Sequence, residues 1–573
     1  MKVFYDIEVF RYDWCIVFKH EDGRIIYFWN DQKEELLRYV YNPENFEDNI
    51  YIGFNNRHYD TYVFSAILQN CDPYKVSQDI IKYQIPPYKV INNCVPFIQY
   101  DCMPNPPKSL KELEFHIGLS IQESTVSFDI DRKLTKEERE EVLKYCIHDV
   151  EATETYFYLK IEEFTAHEGL INIFNLNPKE NYLKTKSQLV STILGGNRTD
   201  TQDEWCINVP DNLKLNKYRF IADWFLNRSD INEKLEFNFN DSLLCTIANG
   251  GAHGGGLYVN TDNRLLKSAD VESYYPSLII EYGLMSRGAT NNIYEEIKKQ
   301  RVAYKKQNDP RHYPLKILLN STYGSFLFKG SQLYDPLKGH LICIYGQLFL
   351  LDLMEQLEPY ADIINLNTDG IIYSAHPGKE DKVKEVFDEW EHRTKMKLEH
   401  EDVNFLCQRD VNNYISIINN KLKSKGQFKQ PTDTDCNLGV IPFAIKEYLV
   451  NHIPIEKTIH DCKDKRMFQI LIKSTNKYDG IYKNEKEKLP QHVNRAYASY
   501  ENVGYTLRKK KLNSNVMSKI AYCPPYCIVD NDESLHKEIE SYINKDWYID
   551  ECRRRLKSFT SQNIQTKLSD FEQ

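Results

Sequence analysis

Apolar and polar residues alternate over VFYDIEV, WCIVFKH and IIYFWN near the N-terminus, a period of two that predicts three strands. A helix is expected over 34–40, and NIYIGF reads as a fourth strand. The first 155 residues thus read as an α/β module. They close in the helical run LTKEEREEVLKYCIHDVEATETYFYLKIEEF, where Thr135 and Glu138 have the spacing of a capping box. Residues 156–262 carry weaker patterns and end in NGGAHGGGLY, read as a connecting region with a glycine-rich loop. From Arg264 to Ser374 a strand, a helix pair and a hairpin are expected, and after Glu401 the pattern turns mixed and lysine-rich.

The chemistry falls into two sets of residues. Asp6 and Glu8 lie two apart on the first strand, so both carboxylates project from one face. Asn56 and Asp60 follow the strand in GFNNRHYD, and Tyr145 and Asp149 in YCIHD lie four apart on one helical face. Buried acids of this kind need metal ions or cationic partners. In the second set, Asp270 ends the apolar strand of LLKSADVESYYPSLI, which breaks at Pro276. Lys316, Asn320 and Tyr323 in HYPLKILLNSTYGSF share one helical stripe, a cation, an amide and a ring suited to a nucleoside triphosphate. Arg301 and Lys305 lie one turn apart upstream, and ADIINLNTDGIIYSA reads as a hairpin with Asp369-Gly370 as its turn signal.

Composition narrows the class. A chain of 573 residues with 41% hydrophobic and 27% charged residues should fold into several modules. Net charge is −10, yet residues 421–520 carry 20 Lys/Arg against 10 Asp/Glu, a distribution suited to a phosphate backbone. Fourteen scattered cysteines, an N-terminus with charges in its first ten residues and no apolar run judged long enough to span a membrane place the expected site in the cytoplasm, away from membrane.

The first acid set, in this order and spacing, resembles the proofreading 3′–5′ exonuclease module of DNA polymerases, in the variant whose third motif carries tyrosine. LLKSADVESYYPSLI, KILLNSTYG and LNTDG resemble motifs A, B and C of family-B DNA polymerases. The resemblance implies an α/β plus α+β multidomain chain, with a ribonuclease-H-like exonuclease domain at 1–155 and a connecting region at 156–262. A right-hand polymerase would follow: palm at 263–290 and 331–400, fingers at 291–330, thumb and C-terminal region at 401–573. It implies that Asp6, Glu8, Asp60 and Asp149 hold two metals while Tyr145 orients the attacking water. Asp270, the Val271 carbonyl and Asp369 would hold two more. Tyr275 would stack under the incoming sugar, with Lys316, Asn320, Tyr323, Arg301 and Lys305 on the dNTP. Asn56, Ser109, Leu110, Tyr414 and Lys425 would contact DNA. Magnesium is the implied cofactor, and manganese suits the same ligands. Asn367 and Gly370 stand where the family has aspartate and serine, and Asn412 replaces a lysine of its primer-binding motif.

The function expected on this resemblance is a DNA-directed DNA polymerase that extends a primer with dNTPs and proofreads, in phage genome replication, as a monomer in the host cell cytoplasm. The length resembles compact protein-primed polymerases of phages and linear plasmids. Their inserts have little room here, since Asp270 to Lys316 spans 46 residues and Gly324 to Asn367 spans 43, so an ordinary primer is expected. Gln565, Leu568 and Phe571 are spaced loosely like a sliding-clamp-binding peptide, and a helicase and a single-strand-binding protein are open as partners. Two alternatives stay open, a protein-primed replicase and a nuclease with a disabled palm, the latter favoured by Asn367. A non-catalytic DNA-binding subunit is disfavoured, since neither acid set shows losses.

Overall fold

The computed structural model describes residues 1–46, 49–240, 243–259 and 264–557, and all element counts refer to these. The clamp-like tail at 565–573 lies outside them. The chain forms two compact units, one of Met1–Leu183, Pro431–Ile441 and Glu456–Asp550, the other of Lys184–Gln430, Pro442–Ile455 and the residues from Glu551 onward.

The first unit opens with β1 (Lys2–Val9), β2 (Trp14–His20), β3 (Ile25–Trp29), β4 (Ile50–Gly53) and β5 (Ile98–Asp101), in the sheet order β3-β2-β1-β4-β5. β2 is antiparallel to β1, whereas β4 and β5 run parallel to it. Alternation on β1 sends Val3, Tyr5 and Ile7 into one core with Phe18, Tyr51, Phe64 and Phe97. Phe4, Asp6 and Glu8 take the opposite face. There they meet α3 (Lys136–Leu159), introduced in the chain after α1 (Asp60–Leu68) and α2 (Leu110–Ile117); Phe4 packs edge-on against Phe157 of α3 at 5.5 Å. The capping box at the start of α3 is present, with Thr135 accepting from the Glu138 amide and Glu138 accepting from the Thr135 amide.

The second unit is built on a ten-stranded sheet. Its strands are β6 (Leu235–Phe239), β7 (Leu243–Ala248), β8 (Gly251–Gly255), β9 (Tyr258–Val259), β10 (Leu266–Val271), β11 (Ala361–Asn367), β12 (Gly370–Ala375), β13 (Leu398–Asp410), β14 (Asn413–Ile418) and β15 (Lys421–Lys425). The order is β15-β14-β13-β10-β12-β11-β8-β7-β6, with β9 pairing with β13. The glycine-rich run is therefore a strand rather than a loop. Its glycines admit close neighbours: a Cβ on Gly251 would lie 2.9 Å from the Thr368 side chain, and one on Gly254 2.5 Å from Cys245 Sγ.

Between β10 and β11 come α4 (Tyr274–Glu281), α5 (Tyr294–Lys306), α6 (His312–Leu327) and α7 (Pro336–Leu357), and α8 (Glu380–Thr394) follows β12. By length and composition α7 could cross a membrane, which the sequence reading did not anticipate. In this fold 94% of that stretch is buried, so it serves as a core helix. Trp390 of α8 is fully buried and donates its indole N–H to the Phe349 carbonyl at 3.0 Å. Trp390→Ala is expected to destabilise this unit by about 3–5 kcal/mol, measurable by denaturant unfolding, because the site would lose both packing volume and a buried bond partner.

The chain then returns to the first unit as β16 (Ile470–Lys473), β17 (Tyr478–Lys483), β18 (Glu487–Lys488), β19 (Val493–Ala498), β20 (Leu507–Lys511), β21 (Met517–Ser518) and β22 (Cys527–Val529). They make a three-stranded sheet β16-β19-β22 and a four-stranded sheet β18-β17-β20-β21. Two expected boundaries therefore move. The first unit runs to Leu183, because Phe164 packs edge-on against Tyr100 and Phe157 at 5.0 and 5.1 Å. The expected C-terminal module at 401–573 is divided, because β14 and β15 extend the large sheet while Arg466, Gln469 and Arg495 tie the returning segment to α2. Arg466 Nε donates to the His116 carbonyl at 3.0 Å, Gln469 to that of Phe115 at 2.9 Å, and Arg495 to that of Leu119 at 2.6 Å.

Candidate active sites

In the first unit the four sequence-expected acids converge. Glu8, Asp60 and Asp149 are buried and Asp6 is half-buried. Burial lifts Asp6, with Lys111 pulling the other way, and burial followed by the charge of Asp6 lifts Asp60 well above the usual carboxylate range. Glu8 is likewise pushed well up by burial and by the charges of Asp6 and Asp149. Asp149 rises to about 7, again by burial, against the opposing pull of Lys111. Tyr145 hydrogen-bonds Asp149, and its phenol is driven up by burial and by that carboxylate.

Four side chains that sequence reasoning passed over complete the site. Lys111 of α2 donates to Asp149 Oδ1 at 2.5 Å and Glu114 Oε1 at 2.9 Å, and its ammonium lies 4.7 Å from the Tyr145 ring centre. His148 Nε2 lies 3.3 Å from the same Glu114 oxygen. Cys146 Sγ lies 3.7 Å from Asp6 Oδ2. The sequence signal for Lys111 and Glu114 is their place just after Ser109 and Leu110 in KSLKELE.

Ser109 itself caps α2, its hydroxyl accepting from the Glu112 amide at 3.2 Å. Asn56 is corrected by its burial. It is fully enclosed, donating to the Tyr5 hydroxyl at 3.0 Å and the Tyr100 carbonyl at 3.2 Å, so it braces the turn into Asp60 and is not displayed to a ligand.

This donor set fits divalent cations: one ligand atom each from Asp6, Glu8 and Cys146 lie within 4.8 Å of one another, and the raised carboxylates would ionise against bound positive charge. A pH dependence follows. With Asp149 at about 7, above its ordinary value near 4, the folded metal-free chain binds more protons than the unfolded chain across that window. The stability linked to this group is then full at acid pH and is lost as pH rises from about 4 to about 7. In chelator, the melting temperature of the wild type relative to Asp149→Asn is expected to fall between pH 5 and pH 8, and magnesium should reverse the fall at pH 8.

In the second unit, Asp270 on β10 pairs with Gly370 on β12, and the Val271 amide donates to the Asp369 carbonyl at 2.8 Å. Thr368 and Asp369 form the hairpin turn, so Gly370 opens the returning strand instead of forming half the turn, and none of the three has a positive φ. Burial and then the charge of Asp369 raise Asp270 to about 6, against Lys423. His253 of β8 hydrogen-bonds Asn367; burial and Lys425 hold its imidazole below the usual value. Tyr414 and Lys425 face each other across β14 and β15.

Lys316 and Asn320 are exposed on α6, two turns and one turn before Tyr323 respectively. The Tyr323 and Tyr275 rings lie 4.7 Å apart, and the Tyr323 hydroxyl meets Cys343 Sγ at 2.7 Å. Arg301 is buried and donates to the Ser273 hydroxyl at 2.7 Å, while Ser273 adopts a left-handed conformation of φ 48° between Asp270 and Tyr275. It thus braces the Asp270–Tyr275 corner through Ser273, while its Nε has no hydrogen-bond partner. Lys305 is exposed, 3.6 Å from Glu399.

The fold is similar to the family B DNA polymerase of the hyperthermophilic archaeon Pyrobaculum calidifontis, over 98% of this chain and 78% of that one, with 12% identity and a TM-score of 0.42. No protein-family model and no curated protein matches the chain.

Proposed function

We propose that the chain is a DNA-directed DNA polymerase with a 3′–5′ proofreading exonuclease, extending an ordinary primer in phage genome replication in the host cytoplasm. The observation that carries this reading is Asp270 at a strand end beside Asp369 in the adjoining turn, in one unit with the α6 stripe of exposed Lys316 and Asn320 and half-buried Tyr323. Asp270, the Val271 carbonyl and Asp369 would hold two magnesium or manganese ions, which supply activation of the primer 3′-oxygen and charge neutralisation on the triphosphate. Lys316 would take phosphate charge, Asn320 and Tyr323 would border the nascent pair, and Tyr275, backed by Tyr323, would exclude a 2′-hydroxyl. Arg301 acts through Ser273 to hold that corner.

In the other unit, Asp6, Glu8, Asp60 and Asp149 would bind two ions for hydrolysis, and Tyr145 orients the attacking water. The sheet carrying β17 and β20 suits duplex phosphates: Lys509 and Lys510 lie over Tyr478 and Tyr482, each at 5.5 Å, and Lys483 over Tyr505 at 4.4 Å. Grip by such lysines should weaken steeply with added salt.

The test is templated addition: with magnesium and one dNTP at a time, a recessed primer should grow by the complementary nucleotide alone. A primer that is only ever shortened would overturn the polymerase reading and favour the nuclease with a disabled palm, for which the neutral Asn367 is the supporting feature.

A further inference from the structure

Lys111 is out of proportion to its neighbourhood: it is a buried ammonium in a cluster dominated by carboxylates, with His148 the other basic group. Its charge acts on Asp6, Glu8 and Asp149 alike, and it is bonded to only two carboxylates, Asp149 and Glu114. Glu114 is fully enclosed, and its Oε2 has no hydrogen-bond partner although its Oε1 receives both Lys111 and His148. A buried carboxylate oxygen left open is costly unless another state of the site uses it.

Charge counting points to that other state. Two divalent ions would balance Asp6, Glu8, Asp60 and Asp149, leaving Lys111 and Glu114 as a neutral pair. Asp149, once it ligates metal, shares its charge with the cation and holds the like-charged ammonium more weakly.

We propose that Lys111 is the resident counter-ion of this site, a positioning residue that holds Asp149 until a divalent cation claims it, and that Glu114 is the holding group onto which Lys111 then closes. The inference rests on the nuclease reading given above. Lys111 therefore competes with metal for Asp149, and Glu114 moderates the competition by offering Lys111 a second seat.

The test uses the full chain with Asp270→Ala and Asp369→Ala to silence the other acid pair, and reads Mn2+ binding by titration calorimetry. Glu114→Gln is expected to weaken Mn2+ binding about tenfold, in the range of second-layer partners of metal ligands. Lys111→Met should tighten it several-fold, and Lys111→Met with Glu114→Gln should match Lys111→Met alone, since Glu114 acts through Lys111. Unchanged or weaker binding in Lys111→Met, or a Glu114→Gln loss that persists without Lys111, would overturn the proposal. Should Lys111→Met not fold, Glu114→Gln decides, and undiminished binding there overturns it. Asp6→Ala separates the two layers of the argument: Mn2+ binding that ignores Asp6→Ala sinks the nuclease reading together with this inference, whereas Asp6-dependent binding that ignores Lys111 and Glu114 sinks the inference alone.

Discussion

Asp270→Ala is expected to reduce primer extension by at least about 10²–10³-fold while leaving the shortening of a single-stranded 3′ end intact. Asp270 contributes one of two charges at the meeting of β10 and the Thr368–Asp369 turn, and burial together with Asp369 has already lifted it to about 6. A group held in that state binds a divalent cation with a gain that alanine cannot supply. Asp6, Glu8, Asp60 and Asp149 lie in a different compact unit and should not register the change. Rates of dNTP incorporation and of single-strand degradation, measured on the same preparation, separate a lost ligand from a misfolded chain. Parallel loss of both activities would contradict the assignment.

Gly370→Ala should be nearly as damaging, by about 10²-fold in extension, although it removes no functional group. A Cβ at this position would lie 2.0 Å from Asp270 Oδ1, 2.7 Å from the Ala269 carbonyl oxygen and 2.8 Å from Asp270 Cα. Two of these neighbours are backbone, so the β10–β12 ladder must open or the Asp270 carboxylate must swing away. Gly370 has no positive φ, so the glycine is there for closeness and not for conformational freedom. This is also a physical reason for glycine where the resemblance leads one to expect serine: with this placement of Asp270, serine would not fit. Extension by Gly370→Ala at the wild-type rate would mean that Asp270 points elsewhere during catalysis.

Local patterns revealed much of this architecture. β1 to β4 follow from alternation, α3 from its capping box, and the β11–β12 hairpin from its Asp369-Gly370 signal, although the turn itself falls one residue earlier, at Thr368-Asp369. Asp6 and Glu8, and Asp149 with Tyr145, were readable for the same reason, since spacings of two and four residues are those of strand and helix faces. What escaped was set by partners far away in sequence. The returning segment β16–β22 belongs to the first unit through Arg466, Gln469 and Arg495, whose acceptors lie some 350 residues upstream or more. NGGAHGGGLY looked like a loop because glycine has low strand propensity, yet close approach to Cys245 and Thr368 made it a strand. Asn56 and Arg301 carry the side chains of ligand-binding residues, yet both are buried and make internal bonds, to Tyr5 and Ser273. Lys111 was invisible as a site residue because its partner Asp149 lies on another helix.

The most direct measurement is one gel: a labelled recessed primer–template in magnesium, with and without four dNTPs, comparing wild type, Asp369→Ala and Asp6→Ala. Two separate acid sites require that Asp369→Ala still shortens the primer but does not extend it, and that Asp6→Ala extends it but does not shorten it. Loss of both reactions in either variant, or extension that survives Asp369→Ala, would contradict the division of labour between the two units.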